Sequence, residues 1–161
     1  MSAPQVHLLC GYPGAGKTTY ARRLARQLPA VRFSLDEWML RLYPLRFDDP
    51  HYAAHAENCK NLMWDVAEQV LGLGRDVVLD WCQWNRQRRT AWRLRAEEAG
   101  YRPVLHHVVV PVETAIRRVE ARTARGTPGS HPIDADGVRQ FHTIFEPPTP
   151  DEGIEIVEVS G

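Results

Sequence analysis

Eight consecutive residues near the amino terminus have the types and spacing of a phosphate-binding loop. The run Gly11-Tyr12-Pro13-Gly14-Ala15-Gly16-Lys17-Thr18 fits the pattern G-x-x-x-x-G-K-[ST] and follows the apolar residues 6–10, which predict a buried strand. The glycines let the backbone N–H groups and the next helix's N-terminus point at an anion. We expect Lys17 to reach the terminal phosphate oxygens and Thr18 to ligate Mg²⁺. Together with Thr19, this run is predicted to bind a nucleotide.

Two aspartates lie where other predicted strands end, the edge at which parallel sheets bind ligands. Asp36 follows the strand predicted at 31–34, and we predict that it accepts the proton of an attacking hydroxyl. It also lies in Ser34-Leu35-Asp36-Glu37, a capping-box pattern, so a helix-capping role is the alternative. Asp80 ends the strand predicted at 76–80. We predict that Asp80 holds Mg²⁺ through water or orients the acceptor, against the alternative of capping a turn.

Arginines recur at helical spacing late in the chain. Arg118, Arg122 and Arg125 lie opposite the apolar face of a predicted helix that runs into the glycine-containing segment 126–129. This pattern predicts a small lid over about 122–133 that closes on the nucleotide phosphates and excludes water. In it, Arg122 is the candidate catalytic residue and Arg118 a candidate phosphate ligand. A solvated basic helix face is the alternative.

The residues after Asp80 could contact the acceptor. Arg86 and Arg89 begin an arginine-rich segment and are candidates for binding an anionic acceptor, with surface or structural roles as an equal alternative. Trp84, with Trp81 and Trp38, could form an aromatic wall beside a ring-containing substrate. Buried packing is the alternative for these indoles.

Apolar strand-like runs alternate with helical periodicity along the whole chain, which predicts an α/β fold of parallel strands and crossover helices. The remaining strands are predicted at 103–110 and 154–159. The predicted helices cover 17–28, a stretch from Asp36 to Tyr43, 52–73, 85–99, a stretch beginning near Val112, and 134–145. We predict one domain over residues 1–161.

Composition limits the function classes. The 161 residues carry formal net charge zero with 25% charged residues, so the chain has no global attraction to nucleic acid or anionic membrane. We expect a cytoplasmic monomer or homodimer without a membrane partner, because neither a signal sequence nor 18 consecutive apolar residues is present. Cys10, Cys59 and Cys82 are predicted to be buried free thiols.

Several of these motifs resemble those of a known family. The phosphate loop, Ser34-x-Asp36, Val77-Val78-Leu79-Asp80-Trp81, Arg118-Val119-x-x-Arg122 and Phe145-Glu146-Pro147-Pro148 are similar to small bacterial P-loop kinases of the AAA-type ATPase or kinase-like group. These are relatives of polynucleotide kinase, chloramphenicol phosphotransferase and the zeta-toxin kinases. The resemblance implies a three-layer P-loop fold like that of the nucleoside monophosphate kinases, with five parallel strands and an arginine-bearing lid. It also implies Asp36 as base, Arg122 as lid arginine, and Pro148 near the adenine.

The leading hypothesis is an ATP- and Mg²⁺-dependent kinase that phosphorylates a hydroxyl of a small molecule. An N-K-x-D guanine signature is absent, which favours ATP. A polynucleotide 5′-hydroxyl kinase is the second hypothesis, although polynucleotide kinases have an arginine three residues after the base and this chain has Met39 there. A slowly hydrolysing nucleotide switch or toxin-like protein is the third.

Overall fold

Strands and helices alternate along the chain in the computed structural model, which describes residues 2–126 and 131–161. The strands are β1 (Gln5–Cys10), β2 (Val31–Ser34), β3 (Val77–Cys82), β4 (Arg102–Val109) and β5 (Glu155–Ser160). The α-helices are α1 (Lys17–Gln27), α2 (Leu35–Leu42), α3 (Tyr52–Gly72), α4 (Arg86–Glu98), α5 (Val112–Arg125) and α6 (Ala135–Ile144). A 3-10 helix, Pro150–Glu152, precedes β5.

The five strands form one parallel sheet in the order β2-β3-β1-β4-β5. Successive residues of β3 face opposite sides of this sheet, as strand geometry requires. Val77 and Leu79 belong to the apolar cluster that contains Met63 of α3, whereas Val78 packs with Leu24 of α1. The sheet is therefore covered by helices on both faces, and the predicted three-layer α/β fold is confirmed.

The main boundary difference concerns β3, which continues two residues beyond Asp80 to Cys82. The prediction that Asp80 ends the strand is wrong. Asp80 pairs with Ser34 in the ladder, and its carboxylate accepts a hydrogen bond from Arg32 Nε of neighbouring β2 at 2.8 Å. An ion pair across adjacent strands lets a charged residue lie inside a buried strand.

The capping pattern at α2 forms only in part. Ser34 Oγ accepts from the Glu37 N–H at 3.3 Å, as the capping box requires. The Glu37 carboxylate instead accepts hydrogen bonds from Arg22 and Arg32. Asp36 also lies in the first turn of α2.

Two composition-based expectations can be compared with the structure. Among the described residues, none of the helices is both long and apolar enough to cross a bilayer. The three cysteines are free; Cys10 and Cys59 are buried and Cys82 is half-buried.

Candidate active site

A cavity of about 370 Å³ opens where β1, β2 and β3 end. Its walls come from the phosphate loop and α1, from the β2–α2 junction, from the end of β3, and from residues near α3, α5 and α6. The lining residues are Pro13, Gly14, Gly16, Lys17, Thr18, Thr19, Ser34, Leu35, Asp36, Phe47, Tyr52, Lys60, Asp80, Trp81, Cys82, Trp84, Arg122, His131, Ile133 and Phe141. Polar and charged residues that are far apart in the sequence therefore line the same cavity.

The backbone of the phosphate loop needs its glycines. Gly14 has φ +82°, and a Cβ there would lie 2.4 Å from the Ala115 carbonyl oxygen of α5. Gly16, with φ +97°, precedes α1, and no side-chain hydrogen bond caps that helix within the described residues. No acidic residue occupies its first turn. The first N–H groups of α1 can therefore bind a phosphate.

Lys17 folds back over this loop. Its ammonium donates to the carbonyl oxygens of Gly11 at 2.9 Å and Tyr12 at 2.8 Å. The Thr18 and Thr19 side chains are exposed at the cavity. Gly11, Tyr12 and Ala15 do not line the cavity; they support the loop from behind, where Ala15 is fully buried and the Tyr12 ring contacts Phe145.

Asp36 lies in the cavity at the start of α2. Its side chain is accessible to water inside the open cavity, although protein surrounds it on most sides. Partial removal from bulk water raises the pKa of the Asp36 carboxyl; His131 lowers it, and the nearby Asp80 carboxylate raises it. A carboxyl with a raised pKa is better matched to accepting a proton than an ordinary surface aspartate.

Asp80 lies in the same cavity and is held by β2. Arg32 Nε donates to Asp80 Oδ2 at 2.8 Å, which orients the carboxylate. The Thr18 hydroxyl and the Asp80 carboxylate are both oxygen donors, the class that Mg²⁺ prefers. Among residues 2–126 and 131–161, no group of three His, Cys, Asp or Glu side chains could hold a metal alone. The donors present fit a magnesium ion that is bound jointly with nucleotide phosphates.

Arg118 and Arg122, the two arginines predicted to contact the phosphates, occupy different positions. Arg122 is half-buried, lines the cavity, and its charge lowers the pKa of Asp36. Arg118 is exposed outside the cavity, with its guanidinium 3.4 Å from the Ala15 carbonyl oxygen behind the phosphate loop. Of the predicted lid, residues 127–130 lie outside the described residues, whereas His131 and Ile133 line the cavity.

Arg86 and Arg89, the two predicted acceptor-binding arginines, do not line the cavity. Arg89 is 1% exposed and donates to both carboxylate oxygens of Glu152, at 2.7 and 2.8 Å. It also donates to the carbonyl oxygens of Gln83 and Glu146. Arg86 forms an ion pair with Asp151 at 3.0 Å. Both arginines tie α4 to the segment before β5, which agrees with the structural alternative given for them.

The tryptophans divide between the cavity and the core. Trp84 and Trp81 line the cavity, whereas Trp38 packs against Phe33 with ring centroids 6.2 Å apart. Pro148 does not line the cavity. Its connection is tied to the protein by the hydrogen bond from Arg89 to the Glu146 carbonyl oxygen at 2.8 Å.

The sequence itself matches a family of known proteins. It fits the AAA domain family AAA_33 over residues 6–148, most of the chain. This protein belongs to that family. AAA_33 is a P-loop kinase-like family, so the resemblance inferred from the motifs is confirmed. No curated protein matches the sequence significantly.

Several solved structures share the fold of this protein. A chain of the Pnkp1/Rnl/Hen1 RNA repair complex has a TM-score of 0.73 at 21% identity, covering 89% of this chain and 44% of that one. Gluconokinase from Sinorhizobium meliloti has a TM-score of 0.62 at 17% identity, with coverages of 99% and 85%. APS kinase CysC from Mycobacterium tuberculosis, in complex with AMPPNP and APS, has a TM-score of 0.65 at 17% identity, with coverages of 98% and 90%. These similarities establish the fold.

Sequence reasoning missed several cavity residues of the AAA_33 protein. Tyr52 begins α3, and its hydroxyl lies 3.2 Å from His131 Nε2, so the two residues join opposite walls. Burial raises the pKa of Tyr52 to about 12, helped by the Asp36 charge, which keeps the phenol protonated. Lys60 of α3 also lines the cavity. Its rarity was a usable signal, because Lys17 is the only other lysine in the sequence.

Proposed function

We propose that this AAA_33 protein is an ATP-dependent kinase that transfers the terminal phosphoryl group to a hydroxyl of a small molecule. One observation carries the proposal: the Asp36 carboxyl and the Lys17 phosphate loop line the same cavity of about 370 Å³. A cavity of this size suits a small acceptor beside the phosphate tail. The kinase-like family membership and the nucleotide-bound kinase neighbour support the same reading.

The residues divide the work as phosphoryl transfer requires. In the proposed reaction, the acceptor oxygen forms a bond to the terminal phosphorus, the bond to the bridging oxygen breaks, and ADP leaves. Asp36 takes the hydroxyl proton as the new bond forms. Lys17 and the α1 N-terminus bind the phosphates, and Arg122 neutralises charge on the transferring group.

Magnesium would be held by Thr18 and Asp80 together with the phosphates. When bound, the ion supplies charge neutralisation on the phosphate oxygens. Arg32 keeps Asp80 oriented for this contact through the 2.8 Å hydrogen bond to Oδ2. Trp84, with Trp81, forms the aromatic part of the acceptor wall.

The decisive experiment compares two single variants in an ADP-release assay with a library of hydroxyl acceptors. Asp36→Asn should retain Mg-ATP binding and lose about 10²- to 10⁴-fold in kcat, the range for a lost general base. Lys17→Ala should lose nucleotide affinity itself. Acceptor-dependent turnover that survives in Asp36→Asn but disappears in Lys17→Ala would overturn the assignment of Asp36 as the base, and a wild type with no acceptor-dependent turnover would contradict the kinase proposal.

A nucleic-acid end as acceptor is the second candidate, favoured by the similarity to a chain of the Pnkp1-containing RNA repair complex. The structure weakens it, because Arg86 and Arg89 are engaged in ion pairs and Met39 is 1% exposed within the core. Filter binding to single-stranded DNA and RNA at several salt concentrations separates the two candidates. A track that neutralises several phosphates gives a steep salt dependence, whereas we expect weak binding throughout.

A further inference from the structure

Lys60 is a buried cation on the acceptor side of the cavity. It is 5% exposed, yet it is one of the cavity-lining residues. Its helix α3 packs against α2, β2 and β3, the elements that carry Asp36 and Asp80. The phosphate-binding cations Lys17 and Arg122 belong to α1 and α5 instead. Lys60 therefore lies on the wall that faces the acceptor.

Lys60 shares its acidic partner with a second cation. The Lys60 ammonium donates to Glu57 Oε1 at 2.9 Å, and the Arg88 guanidinium approaches the same oxygen at 3.5 Å. One carboxylate thus serves two cations. Glu57 is 56% exposed at its side chain, which weakens its attraction for both. An ammonium has three donors, so Lys60 can accommodate an anionic ligand while it keeps Glu57.

Burying a lysine at this position has an energetic cost. Burial lowers the pKa of the Lys60 ammonium, and the hydrogen bond to Glu57 opposes this effect. Neighbouring Cys59 and Met63 are buried in the apolar core, and an apolar side chain would fill the Lys60 position without desolvating a charge. A ligand anion would compensate that cost from the cavity side.

We propose that the acceptor carries an oxyanion, a carboxylate or a phosphate, in addition to its reactive hydroxyl, and that Lys60 binds this group. Lys60 is then the residue that determines acceptor class. Trp84 borders the same subsite, and the Arg88 guanidinium lies 3.7 Å above its ring. The inference rests on the proposed kinase function and narrows it from any small hydroxyl compound to an anionic one.

The test uses pairs of hydroxyl compounds in which one member carries an oxyanion and the other is neutral. Gluconate is compared with gluconamide, glycerate with glyceramide, and glycerol 3-phosphate with glycerol, in wild type and Lys60→Met. Wild type should prefer at least one anionic member by about 10- to 100-fold in kcat/KM, the range for a charge-assisted hydrogen bond. Lys60→Met should abolish that preference by raising KM for the anionic acceptor, and it should leave KM for ATP unchanged. The gluconate and glycerate pairs report on recognition of a carboxylate, and the glycerol 3-phosphate pair reports on recognition of a phosphate.

Matched variants control for charge and folding. Methionine has a similar length, and Glu57 keeps Arg88 as partner, so Lys60→Met should unfold within a few degrees of wild type. Lys60→Arg should restore part of the preference because it retains a cation. Arg26→Met removes a surface charge from the last turn of α1 and should change nothing. The assignment would be overturned if Lys60→Met kept the wild-type preference for anionic acceptors, or if it raised KM for ATP instead.

Failure of the inference differs from failure of the kinase proposal. If wild type phosphorylates neutral acceptors best, the Lys60 role is wrong and the kinase proposal stands. If wild type phosphorylates none, titration calorimetry of gluconate and glycerol 3-phosphate into the Mg-ADP-loaded protein decides the Lys60 role. Binding that Lys60→Met weakens at least tenfold supports an anion subsite, and no binding overturns it.

Discussion

The Asp36 carboxyl experiences opposing influences on its ionisation. Restricted access to bulk water and the Asp80 carboxylate favour the protonated form, whereas His131, Lys17 and Arg122 favour the ionised form. The net effect is a raised pKa for Asp36. Nucleotide phosphates would neutralise part of the positive charge around it, so the carboxylate becomes a stronger base as the site fills.

The first prediction concerns the pH dependence of kcat/KM for the acceptor in the proposed reaction, measured on the Mg-ATP-loaded protein. Only ionised Asp36 can accept a proton, so kcat/KM should fall as pH falls, beginning above the pH at which an ordinary aspartate protonates. A pH profile of kcat/KM for the acceptor tests this, measured at saturating Mg-ATP with a constant ratio of Mg²⁺ to ATP. Asp36→Asn should lose the acidic limb along with most activity. If the residual activity of Asp36→Asn declined at low pH with the same midpoint, the decline would belong to another group.

At the scale of elements, the phosphate loop depends on its fit against α5. A Cβ added at Gly14 would lie 2.4 Å from the Ala115 carbonyl oxygen and 2.9 Å from the Val119 side chain. Backbone atoms cannot move aside as a flexible side chain can. The loop and α5 therefore form one unit, from which Arg118 and Arg122 extend.

The second prediction is that Gly14→Ala reduces Mg-ATP affinity more than tenfold, because the loop must leave α5 to relieve the overlap. Gly74→Ala is the matched control. Gly74 has φ +77°, close to the +82° of Gly14, but nothing lies within 4 Å of its Cβ position. The control should lose about 1 kcal/mol of stability from left-handed strain and keep its ATP affinity by calorimetry. Equal ATP affinity in both variants would contradict the packing argument.

A buried ion pair joins α4 to the 3-10 helix before β5. Arg89 and Glu152 have side chains that are 1% and 2% exposed, and both oxygens of Glu152 accept from Arg89. Burial disfavours the Glu152 carboxylate, but its hydrogen bonds with Arg89 outweigh this and lower its pKa. Glu152 also closes a capping box with Thr149, so the pair orders the connection that leads into β5.

The third prediction is that Arg89→Met lowers the free energy of unfolding by about 3–5 kcal/mol, because Glu152 is left charged and buried. Arg139→Met, which removes an exposed pair with Asp136 at 3.5 Å, should cost less than about 1 kcal/mol. Urea denaturation measures both. The double variant Arg89→Met with Glu152→Leu should be more stable than Arg89→Met alone, because no buried charge is left unpaired. If the double variant instead lost the sum of the two single-variant free energies, Arg89 and Glu152 would not be coupled.

At the scale of the whole molecule, a partly buried chain of polar side chains links β1, β4 and α1 outside the cavity lining. His7 of β1 lies 3.0 Å from Asp76 and 2.9 Å from His106 of β4, and His106 lies 2.7 Å from the Tyr20 hydroxyl of α1. Neutral imidazoles satisfy every contact if Tyr20 donates to His106, His106 donates to His7, and His7 donates to Asp76. Burial, with a smaller effect of His7, lowers the pKa of His106 to about 4.

The fourth prediction follows from this lowered pKa. The unfolded chain binds a proton at His106 near pH 6.5, before the folded protein does, so folding stability is lost as pH falls from about 6.5 to about 4. The loss from this group is about 3 kcal/mol at 1.36 kcal/mol for each pKa unit. Denaturation at several pH values should show a shallower decline for His106→Gln than for wild type. Parallel declines would mean that His106 does not contribute.

The whole site also predicts how ligand affects global stability. The proposed Mg-ATP site exists only in the folded chain, so we expect Tm to rise with nucleotide concentration. At 100 times Kd, the stabilisation is about 2.7 kcal/mol. Scanning fluorimetry should detect this shift in wild type and in Asp36→Asn, which retains the phosphate loop. Lys17→Ala should show none at the same concentration.

The sequence alone determined the parallel α/β fold and the phosphate loop. Both depend on short-range patterns: apolar alternation marks each strand and helix, and the loop is one run of consecutive residues with glycines where positive φ is needed. The topological rule that ligands bind at strand ends then brought Asp36 and Asp80 to one cavity. Locally encoded features and one general rule were sufficient for this part of the site.

Only the tertiary structure decided which charged side chains are available to a ligand. Arg89 and Glu152 are 63 residues apart, and Arg32 and Asp80 are 48 apart, so no local pattern reveals that they pair. For Arg86 and Arg89 the sequence left an acceptor role and a structural role equally open, and their long-range ion pairs hold them outside the cavity. Lys60 had no motif to mark it, and the packing of α3 beside β3 brings it there. Side-chain availability is set by long-range burial and pairing, which sequence periodicity does not encode.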